Sequence, residues 1–273
     1  MATATLLGYA DKFSAQVGQT ISFMVSTAAA TYVVEVSPVV GSGSSLWEST
    51  LPGRTQPIAT GSYAIVPDVT RLSLSNQFTV QTWVRPTLPV DGRDQGIVSC
   101  WSATDQTGFA LLLDAAGRPV LQLGDRQAGV TRIVSETPLT ANRWVSLAAA
   151  REPDGAVRLA WQESPRAWIP GRAGEVRRPE TAWGFDSGGA SLLIGAASLE
   201  TVDGGTPRAV GCFNGKIERP RLWNRALEGA EFDALIAGQE DAGTPQGPIG
   251  DWDFSTAIST PHIEDRSPSA APS

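Results

Sequence analysis

An all-β antiparallel sandwich with one short helix near its end is the fold class this sequence predicts, and three observations carry the prediction. Short apolar or alternating runs recur about every 8 to 12 residues along the chain, from LLGYADKF near the start to GDWDFS near the end. Gly (28) and Pro (19) are spread throughout and punctuate those runs. One stretch, LEGAEFDALIAG (227–238), carries apolar residues at helical spacing instead.

The elements follow in order. LLGYADKF, QTISFMVST and TYVVEVSPVV are short strands, with period-2 patterning in TISFMVS. Residues 41–62, rich in Gly, Ser and Pro and containing Trp47, read as a loop. GSYAIVP, QFTVQTWVRP, GIVSCWS, GFALLLD, PVLQLGD, TRIVSE, RWVSLAAARE and AVRLAWQE then arrive in quick succession. DAAGRP (114–119) and EPDGAV (152–157) are hairpin turns, because Asp and Gly supply the Asx and left-handed conformations such turns need. SLLIGA (191–196) resumes the sheet, and AVGCFNGKIERPRLW supplies the last long strand pair. In the helical stretch Leu227, Phe232, Leu235 and Ile236 share a face, and Gly238 stops it. GDWDFS is a final strand before a Pro/Ser-rich tail.

Composition excludes several function classes. With 21 Lys+Arg against 28 Asp+Glu, the 273-residue chain lacks the basic face expected of a nucleic-acid binder. No apolar run of about 18 residues is present to span a membrane. MATATLLGYADKF lacks the basic and long apolar regions of a signal peptide. Cys100 and Cys212 are too few for a disulfide framework and read as buried free thiols, with a single bridge as the alternative. A cytoplasmic location fits this pattern. The single histidine, His262, lies in the tail context STPHIEDRSPS, a poor place to hold a catalytic base in register. Chemistry that depends on histidine is therefore not expected.

Other chemistries fare no better. Asp251 and Asp253 in GDWDFS point to one face by strand periodicity, as paired glycosidase carboxylates would. The expected third acid is Thr256, so they read as polar edge or capping residues. Asp91, Asp94, Asp105 and Asp125 are scattered through loops without the dense alternation of a calcium loop, and no metal site is expected. GSGSS (41–45) lacks the Lys and following helix of a phosphate cradle. Trp83, Trp101, Trp144 and Trp223 fall in strand runs and read as core.

Residues 163–190 break the strand rhythm. This Pro/Gly segment carries Arg166, Arg172, Arg177 and Arg178 with Trp168 and Trp183, a pairing typical of interface hot spots. The segment reads either as a solvated excursion whose tryptophans cover their own sheet or as an interface loop, in which case Trp168, Arg172, Arg177, Arg178 and Trp183 are the interface candidates. If the chain instead binds a ligand such as a glycan, Trp47, Trp168 and Trp183 are the tryptophans available in loops.

The closing stretch FNGKIERPRLWNRALEGAEF (213–232) resembles the end of LamG-like, concanavalin A-like jelly rolls. FTVQTWVRP (78–86), LTANRWVSLAA (139–149) and SLLIGA resemble three further blocks of those domains, in the same order. The flanks LLGYADKFSAQVGQTISFMVST and GDWDFSTAIS resemble the N-terminal region of the large subunit of N,N-dimethylformamidase-like amidohydrolases. The resemblance implies an all-β jelly roll with an N-terminal β extension (1–60) packing with the C-terminal strand, a LamG-like domain (61–240), and a final strand with a linker or tail (241–273). In that family an α/β amidohydrolase domain follows, with a mononuclear iron held by tyrosine and glutamate side chains. Ser273 falls where a linker to it would begin, so no catalytic residue of the family maps onto this chain.

Two functions follow as expectations. In the first, the chain is a non-catalytic domain or subunit supporting a dimethylformamidase-like amide hydrolase, with iron and chemistry in a partner of a hetero-oligomer. In the second, it is a stand-alone LamG-like module that binds carbohydrate or protein.

Overall fold

The computed structural model describes residues 6–12, 14–39, 45–55, 61–66, 68–165, 170–179, 182–201, 207–239, 247–256 and 262–268. The chain divides into two compact units, residues 1–59 and 60–273.

The first unit contains two antiparallel hairpins. β1 (Leu6–Ala10) pairs with β2 (Phe23–Thr27), and β3 (Thr31–Val36) pairs with β4 (Trp47–Pro52). β4 corrects the expectation of a loop over 41–62. WESTLP has no apolar alternation to announce a strand, and its pairing with the β-branched run TYVVEV decides it.

The second unit is a sandwich. Its strands are β5 (Ala64–Val66), β6 (Phe78–Pro86), β7 (Gln95–Ser102), β8 (Thr107–Leu113), β9 (Pro119–Asp125), β10 (Gly129–Val134), β11 (Val145–Arg151) and β12 (Val157–Glu163). They continue as β13 (Ala173–Arg178), β14 (Leu192–Ile194), β15 (Ser198–Thr201), β16 (Pro207–Val210), β17 (Gly215–Trp223), β18 (Gly250–Asp253) and β19 (Glu264–Asp265), with one helix, α1 (Gly229–Ile236), between the last long strand and β18. One sheet runs β10-β9-β8-β7-β14-β5 and the other β13-β12-β11-β6-β17-β18-β19, while β15 and β16 form a separate hairpin.

Side-chain alternation builds three layers from these strands. On β11, Val145, Leu147 and Ala149 enter the core between the sheets, and Ala148 and Ala150 face outward under the helix. On β8, Phe109, Leu111 and Leu113 enter the core, and Ala110 and Leu112 pack on the outer face. Both faces being covered explains why these strands read as nearly continuous apolar runs. α1 places Phe232 and Leu235 on that outer layer, with Leu227 and Trp223 beside them. Burying Phe232 alone is worth about 1.5–3 kcal/mol. Gly238 ends the helix in the left-handed region, φ 74°, where its N–H reaches the Leu235 carbonyl at 3.1 Å.

Both predicted turns form. Asp114 accepts from the N–H groups of Ala116 (3.0 Å) and Arg118 (2.9 Å), and Asp154 accepts from that of Ala156 (2.9 Å). Two expectations need correction. The segment 163–190 is not one excursion, because Ala173–Arg178 pairs with β12 as an outer strand of the seven-stranded sheet. The tail is not all tail either. Glu264 and Asp265 pair with β18, and the Arg266 N–H donates to the Asp251 carbonyl at 2.7 Å. These backbone bonds join distant segments, which composition alone does not reveal.

Candidate functional site

The residues singled out in 163–190 do not form one patch. Arg177 and Arg178 are exposed on β13, at the edge of its sheet, and Arg172 is exposed just before it. Arg172 donates to the Thr140 hydroxyl at 3.0 Å, and its guanidinium lies 5.6 Å from the Trp161 ring centre. Arg177 stands directly across from Arg158 on β12, and Glu175 holds both like charges together. Glu175 receives Arg158 through two bonds of 2.9 and 3.0 Å, and Arg158 also reaches Asp233 of α1 at 2.6 Å. Those arginines, Arg158 first, hold the Glu175 carboxyl below its ordinary range. Burial opposes the charge on Arg158, but its bonds to Glu175 and Asp233 outweigh burial and raise its pKa. The exposed edge is thus tied to the helix by a charge network.

Trp183 follows the reading in which the tryptophan covers its own sheet, not the interface one. It is only 6% exposed and sits in the core against Phe78 and Phe109 strands, its ring 5.6 Å from that of Phe78. Its indole N–H donates to the carbonyls of Gly108 (3.2 Å) and Gly124 (2.9 Å). A side chain with both its face and its polar tip satisfied inside the domain is not an interface anchor. Trp168 and Arg166 lie outside the described residues. Trp47 is half exposed, and it opens β4 rather than standing in a loop.

A cleft that no motif announced lies at one side of the sandwich. It measures about 460 Å³, and its lining includes Tyr63, Asp68, Arg71, Trp252, His262 and Asp265. β5 is the last strand of its sheet and β19 of the other, so both contribute free edges to the walls. Arg71 crosses the cleft to Asp265 at 3.0 Å. Asp68 accepts from the Thr70 hydroxyl (2.5 Å) and N–H (3.0 Å), which lower its pKa. His262 is exposed and lines the same cleft as Asp68, Arg71 and Asp265. The described lining contains no Ser, Thr or Cys, and its one hydroxyl is the Tyr63 phenol. Such a cleft suits binding of a small polar group. Arg71 and Asp265 are 194 residues apart in sequence and share no motif, which is why sequence reasoning missed it.

The paired acids of GDWDFS are structural. Asp251 accepts from Arg219 at 3.2 and 3.3 Å, and Asp253 is held by Ser255 and Arg266. The Ser255 hydroxyl and N–H, with Arg266, hold the Asp253 carboxyl low. Glu218, in the same cluster, is pushed up by burial and by the charge of Asp253. It sits at a bulge of β17 where Arg219 adopts φ 45°. No group of three or more His, Cys, Asp or Glu among the described residues is arranged to hold a metal ion. No helix among the described residues is long and apolar enough to cross a membrane.

The family follows from comparison. The model of the concanavalin A-like lectin/glucanases superfamily, Laminin_G_3, matches residues 59–232, more than half of the chain. The chain belongs to that superfamily. Concanavalin A-like architecture also links it to a solved structure, a putative carbohydrate binding protein from Bacteroides ovatus, at 14% identity and a TM-score of 0.51, covering 97% of this chain and 65% of that one. That likeness is one of fold. Over its whole length this concanavalin A-like chain is similar to two proteins named N,N-dimethylformamidase beta subunit. It is 31% identical to that of Paracoccus aminophilus over 97% of this chain, and 28% identical to that of an Alcaligenes species over 98%. The chain spans only 38% of the length of either relative.

Proposed function

We propose that this chain is a non-catalytic concanavalin A-like part of an N,N-dimethylformamidase-like amide hydrolase. In this reading a catalytic part outside the chain converts a small formamide and water to an amine and formate. That part also holds the iron, and this chain supports its assembly. One observation carries the proposal. The similarity to the β subunits extends across 97% of the chain, whereas the superfamily model stops at residues 59 and 232. The shared flanks, including both N-terminal hairpins and the GDWDFS strand, go beyond what a generic sandwich requires. The exposed arginine edge of β13 and the side cleft are the surfaces of the sandwich available to a catalytic part.

The test is purification of the tagged chain from cells of its source, followed by intact-complex mass spectrometry, iron analysis and an assay for dimethylamine release. The expected result is a hetero-oligomer with a larger iron-containing polypeptide that hydrolyses the formamide. A chain that emerges alone and binds a glycan instead would replace this reading with that of a free-standing binding module.

A further inference from the structure

Tyr63 stands between two cavities at one side of the sandwich. The larger is the cleft of about 460 Å³, and a second of about 250 Å³ adjoins it. The two share Tyr63, Ala64, Ile194 and Ile263 in their walls, so they form one recess. Their chemistry differs. The charged groups of the described lining, Asp68, Arg71 and Asp265, all belong to the first. The second is walled by Phe213, Ile217 and Phe254, with Ser62 and Tyr63 as its hydroxyls. The recess is therefore polar at one end and apolar at the other. Tyr63 and Ile263, 37% and 39% exposed, leave the shared wall open to solvent.

The charges in the polar end do not balance. Asp265 is fixed, because one carboxylate oxygen accepts from the N–H groups of Asp251 (3.0 Å) and Ser267 (3.1 Å) while Arg71 reaches the other at 3.0 Å. That ion pair occupies the arginine of the cleft. Asp68 accepts only from neutral donors, the Thr70 hydroxyl and N–H, and among the described residues it joins no ion pair. The same donors lower its pKa and keep it ionised. With histidine counted neutral, as in the formal charge of −7 for the whole chain, the recess carries one net negative charge.

We propose that this recess binds a small organic ammonium ion, its charged nitrogen at the Asp68 end and its alkyl or aryl substituents at the Phe254 end. A protonated amine supplies the missing positive charge, and aromatic ring faces attract it further. Its substituents remove the apolar wall from water. An anion would meet Asp68 without gaining a cation, since Arg71 is held by Asp265, and like charge counts against it. A neutral ligand would leave the carboxylate uncompensated. In the function proposed above, the amine released from a formamide is such an ion at neutral pH, which makes the recess a product site. That assignment rests on the proposed function, whereas the site itself does not.

The experiment titrates the full-length chain and follows its amide NMR shifts, using probes that share one ring: benzyldimethylammonium, benzyl alcohol and phenylacetate. The cation should bind with a Kd of about 1–10 mM and shift the amides of residues 63–66 and 263–265. Benzyl alcohol should bind about fivefold more weakly, and phenylacetate more weakly still. Asp68→Asn should raise the Kd of the cation about fivefold and leave that of benzyl alcohol unchanged. Asp68→Glu should restore the cation, which separates loss of charge from loss of fold. No binding of the cation in that range, equal binding of phenylacetate, an unchanged Kd in Asp68→Asn, or shifts confined to other residues would overturn the inference. A chain that binds the cation but recruits no catalytic polypeptide keeps the site and loses the product assignment. A hetero-oligomer whose chain binds no ammonium ion overturns the inference and leaves the proposed function standing.

Discussion

Trp183 is hydrogen-bonded to Gly124: the indole N–H donates to that carbonyl at 2.9 Å. Gly124 stands across from Gly108, whose carbonyl takes the same N–H at 3.2 Å. Gly108 adopts φ 99°, and a Cβ on Gly124 would come within 2.5 Å of the Trp101 ring on the other side of the sheet. Two glycines thus let one tryptophan close the core edge while another lies across the outer face.

Trp183→Ala should therefore destabilise the sandwich by about 3–5 kcal/mol, read by urea unfolding. Trp183→Phe should recover part of that loss but leave both carbonyls without the indole donor. An unchanged midpoint in Trp183→Ala would place this residue at the surface, against the structure.

The Arg158 network should show in both mutation and pH. Arg158 lies over the Phe232 ring at 4.3 Å and joins β13 to α1 through Glu175 and Asp233. Arg158→Met should cost about 2 kcal/mol and loosen α1 first, seen as faster amide exchange in 229–236. The folded pKa of Glu175 lies below its unfolded value. Its contribution is therefore complete above the unfolded value and is lost as pH falls through the folded one. Between neutral pH and about pH 4, the wild type should lose more stability than Glu175→Gln. Because Glu175 is exposed to solvent, the difference should be under about 1 kcal/mol.

Glu218 has the opposite sign. Burial and Asp253 raise its folded pKa, so the linked stability is full below the unfolded pKa and is lost as pH rises through the folded value. Glu218→Gln should raise stability at pH 7 by about 0.5 kcal/mol, a gain that vanishes in acid. A loss at neutral pH would mean that the carboxylate charge is needed by Arg219 and Arg266.

The thiols give a direct chemical check. Cys100 is buried and its pKa is pushed up to about 12 by burial, while Cys212 is half-buried and also raised. Ellman's reagent at pH 8 should react with Cys212 slowly and with Cys100 only in denaturant. Two thiols should be counted after unfolding without reductant. A count of zero would show that the two are bridged.

Much of the sandwich was legible because its cues are local. Alternation in VSLAAAR and QFTVQTWVRP, Asp-Gly turns at 114–119 and 152–157, and helical spacing in EFDALI each depend on neighbours within a few residues. The candidate sites were less legible. Arg172, Arg177 and Arg178 were found exposed on or next to an edge strand, while for Trp183 the choice between its own sheet and an interface stayed open, because a Pro/Gly setting says nothing about which carbonyls lie nearby. The side cleft had no signature, since Arg71 meets Asp265 only after both sheets have closed.

By itself, then, the amino-acid sequence determined the strand succession, the turns, the closing helix and the resemblance to a concanavalin A-like domain, since strand period and turn chemistry are properties of adjacent residues. The tertiary structure alone decided that β4, β13 and β19 are strands, that Trp183 is core and Trp47 is exposed, and that Glu175 joins two arginines. Each of those depends on hydrogen bonds or burial supplied by segments far away in the chain, and no local pattern encodes which distant partner will arrive.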